Sequence, residues 1–276
     1  MNNRPDYLAH IILTLGVILF ALPVWLVFAG STQDSDAIMR GELSLIPNLA
    51  NLSVYTRVLT TGTMGTQPVW HMLLISLGMA LAIAFGKIVI SILSAYAVVF
   101  FRFPFRKTAF WLIFVTLMLP VEVRIIPTYA VMAGFGLINT FTGLWVPLIA
   151  SATATLLFRQ IFTAIPDELV EAARIDGAGP LRFLRDIVLP VSGPNIAALF
   201  VILFVYGWNQ YLWPLLVATN QGLDTIVIGI VKMIGQETQT DWSAVMATTV
   251  LALLPPVLVV VLMQRWFVAG LTEGEK

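Results

Sequence analysis

The sequence predicts an all-α integral membrane protein with six transmembrane helices, and three observations carry that expectation. Of 276 residues, 59% are hydrophobic and 11% charged, against about 25% charged in an ordinary soluble domain. Too few charges remain to coat a water-exposed surface of this size. Mean hydropathy is +0.91, and the apolar residues fall in runs that suit a hydrocarbon core about 30 Å thick, which takes roughly 20 helical residues to cross. Finally, basic residues stand where several of these runs end. The same composition argues against a soluble enzyme and excludes a disordered chain. Fifteen basic and fifteen acidic residues cancel, which leaves no footprint for nucleic acid. With no cysteine and only His10 and His71, disulfides, thiolate metal sites and a histidine-rich metal site are also set aside.

The first span is expected from Ile11 to Gly30, behind a polar start containing Arg4. A signal peptide shares this pattern, but its apolar region is about 7–15 residues, so the segment reads as a retained helix. A polar stretch from Ser31 to Gln67 follows, with turn signals at Ile46-Pro47-Asn48 and Thr61-Gly62-Thr63. The second helix runs from Val69 to Phe100, longer than a bilayer needs, and should tilt or project into water. Thr108 to Val121 is too short to span before Pro120, Glu122 and Arg124; the helix either continues towards Met132 or breaks there. Phe141–Phe158, Ile196–Thr219 and Ala244–Met263 supply the fourth, fifth and sixth helices. Lys and Arg favour the cytoplasmic side. A cytoplasmic N-terminus leaves ten inside (Arg4, Arg102, Arg106, Lys107, Arg159, Arg174, Arg182, Arg185, Arg265, Lys276) and four outside (Arg40, Arg57, Arg124, Lys232). Both termini are therefore expected in the cytoplasm.

Between the fourth and fifth helices the composition changes. Asp167 to Asp186 carries eight of the thirty charges, so this piece is expected to stand in water. Pro166, Asp167 and Glu168 suit a helix start, and Gly177 suits a helix stop. Pro180 can open a second turn, Leu181 to Leu189, with Pro190 ending it. A solvated loop with a Glu171–Arg174 pair is the plainer reading. It does not explain why Leu169, Ala172, Ala173, Phe183 and Ile187 supply apolar faces outside the membrane; a partner protein does.

The run Glu171-Ala172-Ala173-Arg174-Ile175-Asp176-Gly177-Ala178, followed by Phe183, Ile187, Pro190 and Pro194, resembles the "EAA" loop of binding-protein-dependent ABC importer permeases. Six helices with both ends inside suit the carbohydrate-importer branch, in particular the smaller of its two permeases. Arg102-Phe103-Pro104, Leu119 to Arg124 and Gly207 to Pro214 are most similar to permeases of sn-glycerol-3-phosphate importers. The resemblance implies a bacterial inner-membrane subunit, a second homologous permease, a dimer of ATP-binding subunits and an extracytoplasmic substrate-binding protein. It also implies a small hydroxylated, phosphorylated substrate. ATP and Mg would be used by the partner ATPase, with no cofactor or metal bound by this chain. Residues 1–68 would form the first helix and a periplasmic loop, 69–268 the type-1 transmembrane domain and 269–276 a cytoplasmic tail. By position, Glu171, Ala172, Ala173, Asp176 and Gly177 would couple to the ATPase, Glu171 through an ion pair and Gly177 by permitting a bend. Gly179 stands where many relatives have Ser, a weaker but permitted N-cap.

No catalytic residues are expected. Gly86-Lys87 lacks the upstream glycine of a phosphate-binding loop and lies in an apolar helix. Gly78, Ala82 and Gly86 share one helical face that allows close approach, with packing inside this chain the favoured use. Met118, Met132 and Met233 read as gap-filling core. Candidate pathway residues are Trp208, Asn209, Gln210 and Tyr211, because intramembrane amides should face protein or water, together with Glu122 and Arg124. Local pairing of Arg124 with Glu122, and snorkelling or pairing of Lys87 with the second permease, are the structural alternatives. Pro214 and Pro255-Pro256 are expected to interrupt or bend their helices. Another sugar or polyol remains open as substrate. A self-sufficient ion-coupled carrier is the competing class; it would need intramembrane acids, and this chain offers only Glu122.

Overall fold

The computed structural model describes residues 7–63, 66–116, 119, 121–234 and 240–272, without the side chains of 121, 122, 221 and 267–272. Arg4, Met118, Pro120 and Lys276 lie outside the described residues, as does the side chain of Glu122. Among the described residues every regular element is helical and no strand occurs. In chain order, α1 (Tyr7–Ser31), α2 (Ser35–Met39) and α3 (Ser53–Thr60) precede the 32-residue α4 (Val69–Phe100). Then come α5 (Arg106–Val115), α6 (Val121–Gly134), α7 (Phe141–Trp145), a 3-10 turn at Val146–Leu148, and α8 (Ala152–Thr163). The charged loop holds α9 (Asp167–Ile175), α10 (Pro180–Phe183), a π turn at Leu184–Val188 and α11 (Leu189–Val191). After it come α12 (Gly193–Trp208), α13 (Leu212–Val217), α14 (Ile226–Ile234) and α15 (Trp242–Thr272).

Among the described residues, three helices are long and apolar enough to cross a membrane: α1, α4 and α15, the last over Trp242–Trp266. Counting two bent pairs raises the number to five. Several expectations need correction. The fourth helix is not continuous over Phe141–Phe158: Phe141–Leu148 and Ala152–Thr163 meet at 50°. Pro147 has no N–H to continue the ladder, and the Ser151 hydroxyl caps α8 by accepting from the Ala154 N–H at 3.3 Å. The fifth breaks at residues 209–211 rather than running to Thr219. Pro214 is not the break itself; it sits in the first turn of α13, where its missing N–H is harmless. Pro190 does not end the second turn of the charged loop, because the π turn shifts the hydrogen-bond register and the chain stays helical through Val191. Helix α15 runs on through Pro255 and Pro256. The uncertain third segment divides: α5 stops at Val115 and α6 starts at Val121.

The chain forms two compact units, Met1–Leu73 with Asp224–Leu254, and Leu74–Leu223 with Pro255–Lys276. In the first unit, Gly30 lies against Met246 and Gly229 against Met72, so closely that a Cβ would collide with the methionine side chain. Asp224 is fully buried and accepts two bonds from Lys232 Nζ, at 2.7 and 2.9 Å. Asp241 caps α15. Its Oδ1 accepts from the Ala244 N–H at 3.0 Å and the Ser243 hydroxyl at 2.7 Å, while Oδ2 accepts from Arg57 at 2.8 Å.

In the second unit the small-residue face of α4 is used within the chain. Gly78 admits the Phe141 ring and Gly86 admits Ile149, while a Cβ at Gly207 would stand 3.0 Å from the Ala80 Cα. Met79, Ile83, Leu144 and Ala218 form a buried cluster there. Asn139, in the left-handed region at φ 56°, ties the start of α7 to the end of α13. Its N–H donates to Val217 O at 3.0 Å, and its side-chain oxygen accepts from Thr219 N at 2.8 Å and Asn220 N at 3.0 Å. Trp213 Nε1 donates to Gly143 O at 3.0 Å.

Burial pushes the Asp241 carboxyl up, but Ser243, the Ala244 N–H and the Arg57 charge outweigh it and hold the group below its ordinary 3.8. A carboxyl lowered on folding stabilises the native state above its ordinary value, and that contribution is lost as pH falls through the lower folded-state value. Asp241→Ala is expected to cost about 1 kcal/mol at pH 7, mainly through loss of the cap. Thermal unfolding followed by tryptophan fluorescence should show this deficit shrinking below pH 3.8. Asp241→Asn, which keeps the cap but not the charge, should lose the acid dependence.

Candidate functional site

Two places in the second unit gather the residues that sequence reasoning singled out. The first is the charged loop. Helix α9 carries Asp167 and Glu168 in its first turn and Arg174 in its last, so the side-chain charges complement the helix dipole. It ends in a Schellman motif. The Ala178 N–H bonds Ala173 O at 2.9 Å and the Gly177 N–H bonds Arg174 O at 3.1 Å. Gly177 supplies the left-handed residue this stop requires, at φ 67°, where a side chain would be strained. Gly179 then precedes α10, accepting the Phe183 N–H at 2.9 Å without a side-chain cap.

An aromatic cluster fastens the loop to its own bundle. Phe183 stands edge-on to Phe100 at 5.1 Å and lies 6.3 Å from Tyr96; Phe100 in turn meets Phe162 of α8 at 6.2 Å. The Tyr96 hydroxyl donates to Pro180 O at 2.7 Å. Ala173 and Phe183 are thus buried within this chain, which corrects the expectation that they need a partner. Glu171, Ala172, Asp176 and Gly177 are exposed, and Leu169 is partly so. Two apolar residues not singled out from the sequence, Ile175 and Leu181, are 86% and 80% exposed. No Glu171–Arg174 pair forms among the described residues; the loop's ion pairs are Arg182–Asp186 at 3.5 Å and Arg185–Asp186 at 3.9 Å.

The second place is a cleft beside the break between α12 and α13, lined by Lys87, Arg124, Thr128, Tyr206 and Gln210 among others. Lys87 is only 6% exposed, and its Nζ lies 3.7 Å over the Tyr206 ring. Arg124 is exposed on α6. Gln210 Nε2 donates to Tyr206 O and Asn209 Nδ2 to Val205 O, each at 3.0 Å, supplying partners to carbonyls at the end of α12. Of the candidate pathway residues, Arg124 and Gln210 come together here. Asn209 and Tyr211 are exposed near the break but do not line the cleft, and Trp208 is 2% exposed, stacked on Phe204 at 6.0 Å. The orientation of Glu122 lies outside the described residues. The burial of Lys87 depends on helix packing rather than on local pattern, so the sequence does not single it out. Trp213, another wall of the cleft, carries no sequence signal that separates it from ordinary core.

Among the described residues, helices long and apolar enough to cross a membrane carry a capped, charged loop and a cleft lined by two cations. Residues 87–273 match the family described as binding-protein-dependent transport system inner membrane component, and the chain belongs to that family. It is 56% identical to the sn-glycerol-3-phosphate transport system permease protein UgpE of Agrobacterium fabrum and 55% identical to that of Rhizobium meliloti, with 100% of both chains covered in each case. The corresponding Yersinia pestis protein is 52% identical, over 98% of this chain and 97% of its own. A solved bacterial ABC transporter involved in import of the acidic polysaccharide alginate contains a chain with the same fold. It superposes with a TM-score of 0.81 at 21% identity, covering 97% of this chain and 99% of that one. The protein is an ABC importer permease of the bacterial inner membrane.

Gly177→Val is expected to open the Schellman turn, because a β-branched residue is disfavoured at positive φ by roughly 1–2 kcal/mol. Hydrogen exchange at the Gly177 and Ala178 amides should quicken while membrane insertion stays normal. Unchanged protection would show that the turn does not depend on glycine.

Proposed function

We propose that this chain forms half of the translocation pathway of an ATP-driven importer for sn-glycerol-3-phosphate or related glycerophosphodiesters. The observation that carries the substrate is the identity of 52–56% over essentially whole chains to permeases named for sn-glycerol-3-phosphate. A second homologous permease completes the pathway, two ATP-binding subunits lie beneath and a substrate-binding protein docks outside. ATP and Mg act in the ATP-binding subunits.

Six crossings follow from reading α1, α4, α5 with α6, α7 with α8, α12 with α13, and α15 as spans. Both termini and the charged loop are then cytoplasmic. Residues 1–68 provide the first span and an outer loop, 69–268 the transmembrane domain and 269–276 a tail. In this reading Glu171 and Asp176 meet basic groups of the ATPase, while Ala172, Ile175 and Leu181 bury against it and Ala173 and Gly177 hold the loop's shape. Exposed apolar residues beside acids on a short, locked helix suit insertion into a protein cleft better than they suit water.

Reporter fusions after Arg106 and within 167–186 should read as cytoplasmic. Fusions near Asn51 and Gln236, the latter outside the described residues, should read as external. An external signal from 167–186 would remove the coupling assignment. Glu171→Lys should weaken ATPase co-purification and lower ATP-dependent uptake by about tenfold, the effect of losing one interaction worth roughly 1.4 kcal/mol. The substrate is tested in proteoliposomes holding the whole complex and its binding protein. Labelled sn-glycerol-3-phosphate should accumulate with ATP, and transport of an unphosphorylated sugar in its place would overturn the assignment.

A further inference from the structure

We propose that Lys87 and Arg124, with Tyr206 and Gln210, form a transit site for the phosphate group of the substrate. The inference rests on the reading of this chain as a permease for a phosphate ester and assigns the group that compensates the substrate's charge on the way through. Lys87 lies inside α4, a membrane-spanning helix, and is buried, yet none of the described residues lining its cleft is acidic. Neither Lys87 nor Arg124 forms an ion pair among the described residues. A buried ammonium ordinarily has a carboxylate partner; here it has the face of an aromatic ring at 3.7 Å. That contact is attractive but leaves the positive charge uncancelled. With Arg124 on the same cleft, the wall carries two cations that no acid among the described residues pairs.

A phosphate monoester carries roughly −1.5 to −2 charges near neutral pH, so two cations match it in number. Arg124 can engage two phosphate oxygens in parallel, and Lys87 acts as a point charge. The Tyr206 ring holds Lys87 while the cleft is empty and releases it to the anion. Gln210 offers amide groups to the hydroxyls of the substrate. The site adjoins the interruption after Trp208, where Gln210 already bonds the Tyr206 carbonyl, so occupation bears directly on a broken helix. The sequence offers Arg124 as a candidate pathway residue; the lysine beside it and its ring come from the packing of α4 against α12.

The chain has no cysteine, so Thr128→Cys puts a single thiol in the cleft. In the assembled complex, with cysteines of the other subunits replaced, this thiol is modified by an anionic and by a cationic methanethiosulfonate. Each rate is normalised to that with a free thiol. The anionic reagent should be favoured by about tenfold, as local positive potential concentrates anions. Lys87→Met combined with Arg124→Gln should abolish the preference, and excess inorganic phosphate should slow the anionic reaction. Equal normalised rates, or a preference that survives the double substitution, would overturn the site. In transport assays Lys87→Met and Arg124→Gln should each lower sn-glycerol-3-phosphate uptake by about tenfold, with the complex still co-purifying. Lys87→Arg and Arg124→Lys should retain most of it. Wild-type uptake in the two neutral variants would also overturn the site. Failure of the substrate assignment looks different: the natural complex does not import sn-glycerol-3-phosphate, yet the anionic reagent preference persists and supports the site for another anion.

Discussion

Backbone amides in hydrocarbon have no water to bond, so each interruption of a membrane helix must be satisfied from within the protein. That constraint organises the second compact unit. Its breaks fall where polar side chains supply the missing partners. Thr140 caps α7 by accepting from the Gly143 N–H at 3.0 Å, and Ser151 caps α8. Asn209 and Gln210 bond carbonyls at the end of α12, and Asn139 gathers the backbone N–H groups that follow α13. Each of these residues is costly in lipid and useful at a break, which is why they occur in otherwise apolar stretches. The cleft with Lys87 and Arg124 lies beside one such break.

The charged loop is held by a different device. Its helices are too short to persist alone in water, and their charges contribute little through exposed ion pairs. Shape comes instead from the Schellman turn at Gly177 and from Phe183 seated against Tyr96, Phe100 and, through Phe100, Phe162. Packed aromatic side chains have low compressibility. In the proposed reading, a push on Ile175 and Leu181 would therefore reach α4 and α8 without being absorbed in the loop. The Tyr96–Pro180 hydrogen bond fixes the angle of approach.

The fold is shared at 21% identity with a chain from an alginate importer. Apolar spans tolerate wide substitution when volume and pattern are kept, and chemistry on a common scaffold rests on few residues. In the proposed reading, the cleft and the loop's exposed face hold such residues in this chain.

Much of the fold was determined by the sequence alone. The bounds of α4 at Val69 and Phe100 follow from one unbroken apolar run, and the helical stop at Gly177 follows from glycine's access to positive φ. The charged loop was legible because its composition departs sharply from the spans around it. Local pattern could not say which side chains face one another. Trp208 and Gln210 share one aromatic-amide run, yet the helix turn buries the first and opens the second to the cleft. Ala173 and Phe183 looked available to a partner, but both are buried within the chain, Phe183 against Tyr96 and Phe100 of α4, while Ile175 and Leu181 stay outside. Pro190 signalled an end that the π turn removed. Lys87 reads in sequence as a charge able to reach water along its flexible stem; only the approach of α12 places it under a tyrosine ring, a contact between residues 87 and 206 that no local spacing encodes.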